Sequence, residues 1–243
     1  MISLGCAKNL VDAEVMMGSL LKEGFEITNE NADADALIIN TCSFIDAAQE
    51  ESVDTILESA EFREHANSVQ ALIVSGCLSQ RYRRELPKLM PEVDAFMGID
   101  QVEQVGDIVR QAVGNRESRL GQATEKPNGN ETETTAEPPG EPLIDIHSRP
   151  DYIPAFETPR LRLTPDHFAY VKIAEGCNHP CSFCIIPRMR GSHRSRSQAD
   201  IVQEARQLVS DGVKELNLIS QDSTYYGLDL RPGHRANISS PER

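Results

Sequence analysis

Two patterns of apolar residues alternate along the first half of the chain. Residues 36–40 (Ala-Leu-Ile-Ile-Asn) and 69–74 form short, almost unbroken apolar runs, the signature of strands covered on both faces. Elsewhere apolar residues recur every three or four positions, as on one face of a helix. Leu10, Ala13, Met17, Leu20 and Leu21 make one such stripe, closed by Gly24. Ala47, Ala48, Val53, Ile56, Leu57 and Ala60 make a longer one over residues 45–64. Shorter strand candidates lie at residues 2–6, 25–28 and 95–97, and a further helix at 102–113. Alternating strands and helices predict an α/β domain built on a parallel open sheet.

The alternation resumes near residue 160. Residues 168–174 (Phe-Ala-Tyr-Val-Lys-Ile-Ala) read as a strand. Ser197 with Asp200 reads as a capping box, opening a helix with Ile201, Ala205, Leu208 and Val209 on one face and Gly212 at its end. Residues 213–219 read as the next strand. This is one βαβ unit, the start of a parallel (β/α) barrel, whose chemistry sits at the carboxyl ends of its strands.

Residues 115–142 break the pattern: Glu117, Glu125, Glu131, Glu133, Glu137 and Glu141 are set among Thr, Gly, Asn and Pro. So little apolar surface cannot offset the entropy of ordering, which predicts a flexible linker. Residues 150–159, with Tyr152, Ile153 and Phe156 between prolines, read as an ordered strap lying across a domain surface. The expected organisation is an α/β domain over 1–115, linker and strap over 116–159, the βαβ unit over 160–230 and an unstructured tail over 231–243.

Composition narrows the class. Hydrophobic residues are 39% and charged residues 26% of the 243. No apolar run approaches the ~20 residues of a membrane helix, so no membrane is expected and the cytoplasm is the default compartment. The net charge of −14 is skewed: residues 1–160 hold 29 acidic and 13 basic side chains, the remainder 9 and 11. An acidic front half argues against indiscriminate nucleic-acid binding, which rests on neutralising phosphates, and fits a basic protein partner better.

The six cysteines carry the chemistry. Cys177, Cys181 and Cys184 follow a strand at C-x3-C-x2-C spacing, with Gly176 and Pro180 turning the backbone. Thiolates hold iron–sulfur clusters, and four normally serve a four-iron cube. Three leave one iron open, as catalytic metals keep a position for substrate. Zinc with a distant fourth ligand, or a disulfide plus a spare thiol, are the alternatives. No second C-x2-C knuckle and no oxidising context favour either. Phe183, Ile185 and Ile186 are expected to keep water away.

Cys6, Cys42 and Cys77 each fall just past a predicted strand, at the edge where open α/β sheets bind ligands. Together they read as a second metal or cluster site; singly, each reads as a small buried residue. Arg188, Arg190, His193, Arg194 and Arg196 form a basic cluster, which is either solvated surface or faces an anionic ligand or a partner's acidic groups. His147, His167 and His179 are not spaced as a metal site, and His179 reads as a loop-shaping residue.

The loop Cys177-x3-Cys181-x2-Cys184 after a barrel strand resembles the radical S-adenosylmethionine enzymes. Ser3-Leu4-Gly5-Cys6, Asn40-Thr41-Cys42-Ser43-Phe44 and Ser75-Gly76-Cys77 resemble the N-terminal domain of the methylthiotransferases. Residues 8–12, 172–179, 185–191 and 218–222 resemble the RimO-type branch, which modifies a ribosomal protein. The resemblance covers nearly all of the chain except the acidic linker.

It implies two four-iron–four-sulfur clusters, an auxiliary one on Cys6, Cys42 and Cys77 and a radical one on Cys177, Cys181 and Cys184. The open iron of the latter binds S-adenosylmethionine, whose cleavage yields a radical that takes hydrogen from the β-carbon of an aspartate in small-subunit ribosomal protein twelve. A methylthio group is then transferred to that carbon. The chemistry belongs to the cofactors, so no side chain is expected as a catalytic group. An electron donor such as flavodoxin or ferredoxin is implied.

Two rivals remain: a transfer-RNA methylthiotransferase of the same family, and a non-catalytic cluster-binding fragment. The family pattern stops after Leu230, so a C-terminal truncation is expected.

Overall fold

A computed structural model describes residues 1–65, 70–124 and 141–233. Its centre is a five-stranded sheet of β1 (Ile2–Ser3), β2 (Ala36–Thr41), β3 (Ala71–Gly76), β4 (Ala95–Met97) and β5 (Leu143–Asp145), in that order and parallel throughout. The apolar runs become strands because both faces are covered. Ile38, Ile73, Ala95 and Met97 pack beneath helices α1 (Ala7–Lys22) and α5 (Val105–Thr124). Leu37, Ile39, Leu72, Val74 and Phe96 face α2 (Asp46–His65), α3 (Cys77–Arg81) and α4 (Leu86–Leu89). Alternate residues of one strand thus feed two cores.

The second unit pairs β6 (Phe168–Lys172) with β9 (Glu215–Ile219) in parallel, joined by α7 (Gln198–Ser210). This is the opening βαβ unit of a (β/α) barrel. Between them the chain adds β7 (Ala174–Glu175), the short α6 (Ile186–Met189) and β8 (Arg194–Ser195), with β7 and β8 antiparallel. Ser197 caps α7 by accepting from the Asp200 amide at 3.2 Å. The reciprocal half of the capping box is not formed: the Asp200 carboxylate takes the Phe156 amide at 2.6 Å and Arg196 instead.

Several expectations are corrected. Residues 25–28 form no strand; Phe25 lies against the first core, with the Arg110 guanidinium 4.9 Å from its ring centre. The α1 stripe is not one-sided. Leu21 is largely exposed, whereas Lys8, Asn9, Asp12 and Glu14 are buried, because α1 lies between the sheet and the βαβ unit and uses both faces.

Helix α5 runs to Thr124, past the expected domain boundary, and β5 adds an unforeseen fifth strand beyond the acidic segment. Of the expected linker, residues 125–140 lie outside the described residues, as do residue 69 of the expected strand and residues 234–243 of the expected tail.

The strap at 150–159 is ordered between the two units. Asp100 accepts the amides of Asp151 and Tyr152 at 2.9 and 3.2 Å, and Arg194 donates to the Tyr152 carbonyl at 2.6 and 2.8 Å.

Candidate iron–sulfur sites

The first cysteine trio is assembled by strand register. Ser3 pairs with Asn40, Asn40 with Ser75 and Thr41 with Gly76, so β1, β2 and β3 end nearly level. Cys6, Cys42 and Cys77 follow those ends. With neighbouring strands about 4.8 Å apart, the trio spans only a few strand spacings.

Gly5 makes the approach possible. Its φ of +89° suits only glycine, and a Cβ there would stand 2.6 Å from Cys42 Cβ and 2.9 Å from Cys42 Sγ. Ser52 holds Cys42 at both ends of its backbone, its hydroxyl lying 3.0 Å from the amide and 2.9 Å from the carbonyl.

Asn9 ties all three loops together. Its amide donates to Leu4 O at 3.0 Å and Thr41 O at 2.8 Å, while its Oδ1 lies 3.6 Å from Cys77 Sγ and accepts from Arg190 Nη2. Asn40 Nδ2 in turn holds the Asn9 carbonyl at 2.7 Å. Composition alone gave Asn9 no role; its position one turn into the helix behind Cys6 was the available signal.

The second trio sits on the loop after β7. Gly176, at φ +78°, turns it so tightly that a Cβ would land on the Ser192 carbonyl. The Cys177 amide bonds Gly191 O at 3.2 Å, the His193 amide bonds Asn178 Oδ1 at 2.9 Å, and the Cys184 amide bonds Cys181 O at 3.2 Å. His179 reaches Asp222 beyond β9, Nε2 to Oδ2 2.7 Å. The contact ties the cysteine loop to the segment that follows β9. Phe183 does not shield the loop: the residue is 90% exposed.

The thiols suit a cluster better than a lone ion. All six cysteines are free. Among the described residues neither trio brings its three sulfurs within 4.8 Å of one another; a single ion needs such closeness, whereas a four-iron cube spreads its ligands. The His179 amide lies 3.5 Å from Cys177 Sγ, a donor toward a thiolate. Burial pushes Cys77 up to about 11, although the Arg190 guanidinium beside it pulls the other way. The bare thiol therefore stays protonated at neutral pH and gives up its proton when metal binds.

A cavity of about 1410 Å³ adjoins the second trio. Residues 177–184 form one side, and Arg81 with its neighbours, at the far end of the helix that begins at Cys77, form the other. Arg81, Arg83, Arg149 and Arg188 all line it.

The basic cluster is largely not surface. Arg190, His193 and Arg196 are buried. Arg190 pairs with Asp12 at 2.8 Å and with Glu175 at 3.5 Å; Lys172 pairs with the same two carboxylates at 2.5 and 2.8 Å. Burial opposes ionisation of Glu175, but Lys172, Arg190 and Lys8 hold it well below the usual carboxylate range. Arg196 pairs with Asp200 at 2.5 Å and with Glu204. The acidic groups these cations meet belong to the chain itself.

Comparison with known proteins defines the class first. Residues 1–98 match the family described as "Uncharacterized protein family UPF0004", and residues 171–232 match the radical SAM superfamily. Proteins of Opitutus terrae and Akkermansia muciniphila, each named ribosomal protein uS12 methylthiotransferase RimO, are both 47% identical over 99% of this chain. A third so named, from Solibacter usitatus, is 47% identical over 94%. Over the residues it spans, the chain is similar to these RimO methylthiotransferases along nearly its whole length. It spans about half the length of these relatives, between 43% and 49%.

Proposed function

We propose that this chain carries both iron–sulfur sites of an enzyme that adds a methylthio group to the β-carbon of an aspartate in small-subunit ribosomal protein twelve. The observation carrying the reading is the placement of two cysteine trios, one on a sheet edge and one on a barrel-strand loop, with a cavity reached by elements of both. In this reading Cys6, Cys42 and Cys77 hold an auxiliary four-iron–four-sulfur cluster, and Cys177, Cys181 and Cys184 a second one with an open iron for S-adenosylmethionine. When bound, the second cluster supplies one-electron cleavage of S-adenosylmethionine, chemistry that no side chain can perform.

The chain's own residues do the positioning. Asn9, Ser52 and Gly5 fix the first trio; Gly176, Asn178 and the His179–Asp222 pair fix the second. The buried Asp12–Lys172–Glu175–Arg190 network holds the two units in one register. The cavity arginines suit an anionic target, such as an aspartate carboxylate.

A small one-electron protein of the flavodoxin or ferredoxin kind belongs to this reading as donor, as does a cytoplasmic location. No helix of the described residues is long and apolar enough to cross a membrane. We place the functional division between an N-terminal cluster domain, which takes in α5 and β5, and a radical domain from 160, with the strap at 150–159 joining them.

A transfer-RNA methylthiotransferase is the second reading, because a phosphate also suits the four arginines. Mass spectrometry of ribosomal protein twelve and of transfer RNA from a strain lacking the gene separates the two. We expect the aspartate to lose its methylthio group and the transfer RNA to keep its own; the reverse overturns the assignment.

A further inference from the structure

Lys8, Lys172 and Arg190 are buried together with Asp12 and Glu175. The cations outnumber the carboxylates. Lys8 donates to the Ala174 carbonyl at 3.2 Å, not to an acid. Arg194, next along, donates to the carbonyls of Tyr152, Arg190 and Ser192. Burying net charge without a counter-charge is costly, so this group needs an anion nearby.

The thiols of the first trio are placed to become that anion. Arg190 is the member of the network that reaches them: its Nη2 bonds Asn9 Oδ1, the same oxygen that lies 3.6 Å from Cys77 Sγ. Its Nη1 is fixed by Asp12 at 2.8 Å, so the fork cannot swing away. A cube carrying two positive charges and held by three thiolates is a net anion. It would neutralise the excess.

We infer that Arg190, clamped by Asp12 and Asn9, is the charge-compensating and positioning residue for the cluster at Cys6, Cys42 and Cys77, an inference that rests on the cluster assignment proposed above. The same side chain reaches Glu175, two residues before Cys177. One buried guanidinium therefore stands between the two cysteine sites.

The consequence is a redox potential. Cluster potentials follow net charge and hydrogen bonds to sulfur. Reduction adds negative charge, which a neighbouring cation stabilises, so removing the cation lowers the potential. A purely structural salt bridge gives no such shift.

The test uses the full chain carrying Cys177→Ala, Cys181→Ala and Cys184→Ala, reconstituted anaerobically, so that only the first trio reports. Iron is counted, and the midpoint potential is read by electron paramagnetic resonance. Arg190→Gln is expected to lower the potential, and Arg190→Lys, which keeps the charge, to stay close to the parent. An unchanged potential in Arg190→Gln overturns the inference. Should that variant hold no iron, Arg190→Lys decides: iron held at a potential close to the parent supports the inference, and iron lost there as well, with the charge kept, overturns it. Absence of iron in the parent itself instead overturns the cluster assignment.

Discussion

The Glu14 carboxylate, wholly buried in α1, receives the Arg160 guanidinium at 2.5 Å from across the junction between the two units. Its other oxygen accepts the Leu163 amide at 2.7 Å, and Arg160 also reaches Glu204 on α7 at 2.6 Å. Arg160→Met leaves a buried carboxylate without its cation, a loss of about 3–5 kcal/mol. Urea unfolding of the metal-free chain checks the size. Adding Glu14→Gln to that variant is expected to recover much of the loss.

Asn9→Ala removes the bonds to Leu4 and Thr41 and the acceptor beside Cys77. Each buried group left unpaired costs about 1–3 kcal/mol. The expected result is selective: iron at the first trio falls by roughly half or more, given a 10–100-fold loss of affinity for such supporting residues. Iron at the second trio is retained. Iron analysis in the background lacking one trio or the other reads this directly.

Gly176→Ala should do the opposite. A Cβ there meets the Ser192 carbonyl in a backbone conformation closed to other residues, so the Cys177 loop must move. Iron loss is expected at Cys177, Cys181 and Cys184, with the first trio unaffected.

His193 gives the metal-free chain a pH dependence. Its ring packs edge-on to Tyr225 at 4.9 Å and bonds Ser195 Oγ at 3.2 Å, and burial holds it below its usual value. The unfolded chain then takes up a proton first, near pH 6.5. His193 therefore costs no stability above that pH and a growing amount below it. Denaturation at pH 7.5 and 5.5 should show a fall that His193→Gln reduces.

How much of this the sequence disclosed depends on the range of the interaction. β2 and β3 were readable because residues buried on both faces must be apolar, whatever covers them. The cysteines were readable because a strand end is a local feature. β5 was not: it has three residues, with Ile144 half exposed, and among the described residues it pairs only with β4. The burial of Arg190 was not either. A row of arginines looks the same whether solvated or paired, and its carboxylate Asp12 lies on α1 at the other end of the chain. The α1 stripe misled for the same reason, since its polar positions are buried by the unit that folds against them.

The account rests on each trio holding its own four-iron cluster, and iron counting after anaerobic reconstitution tests this most directly. We predict about eight irons per wild-type chain and about four in each variant with one trio replaced by alanine. Full iron content retained when either trio is removed, or four irons lost only when both are, would contradict it.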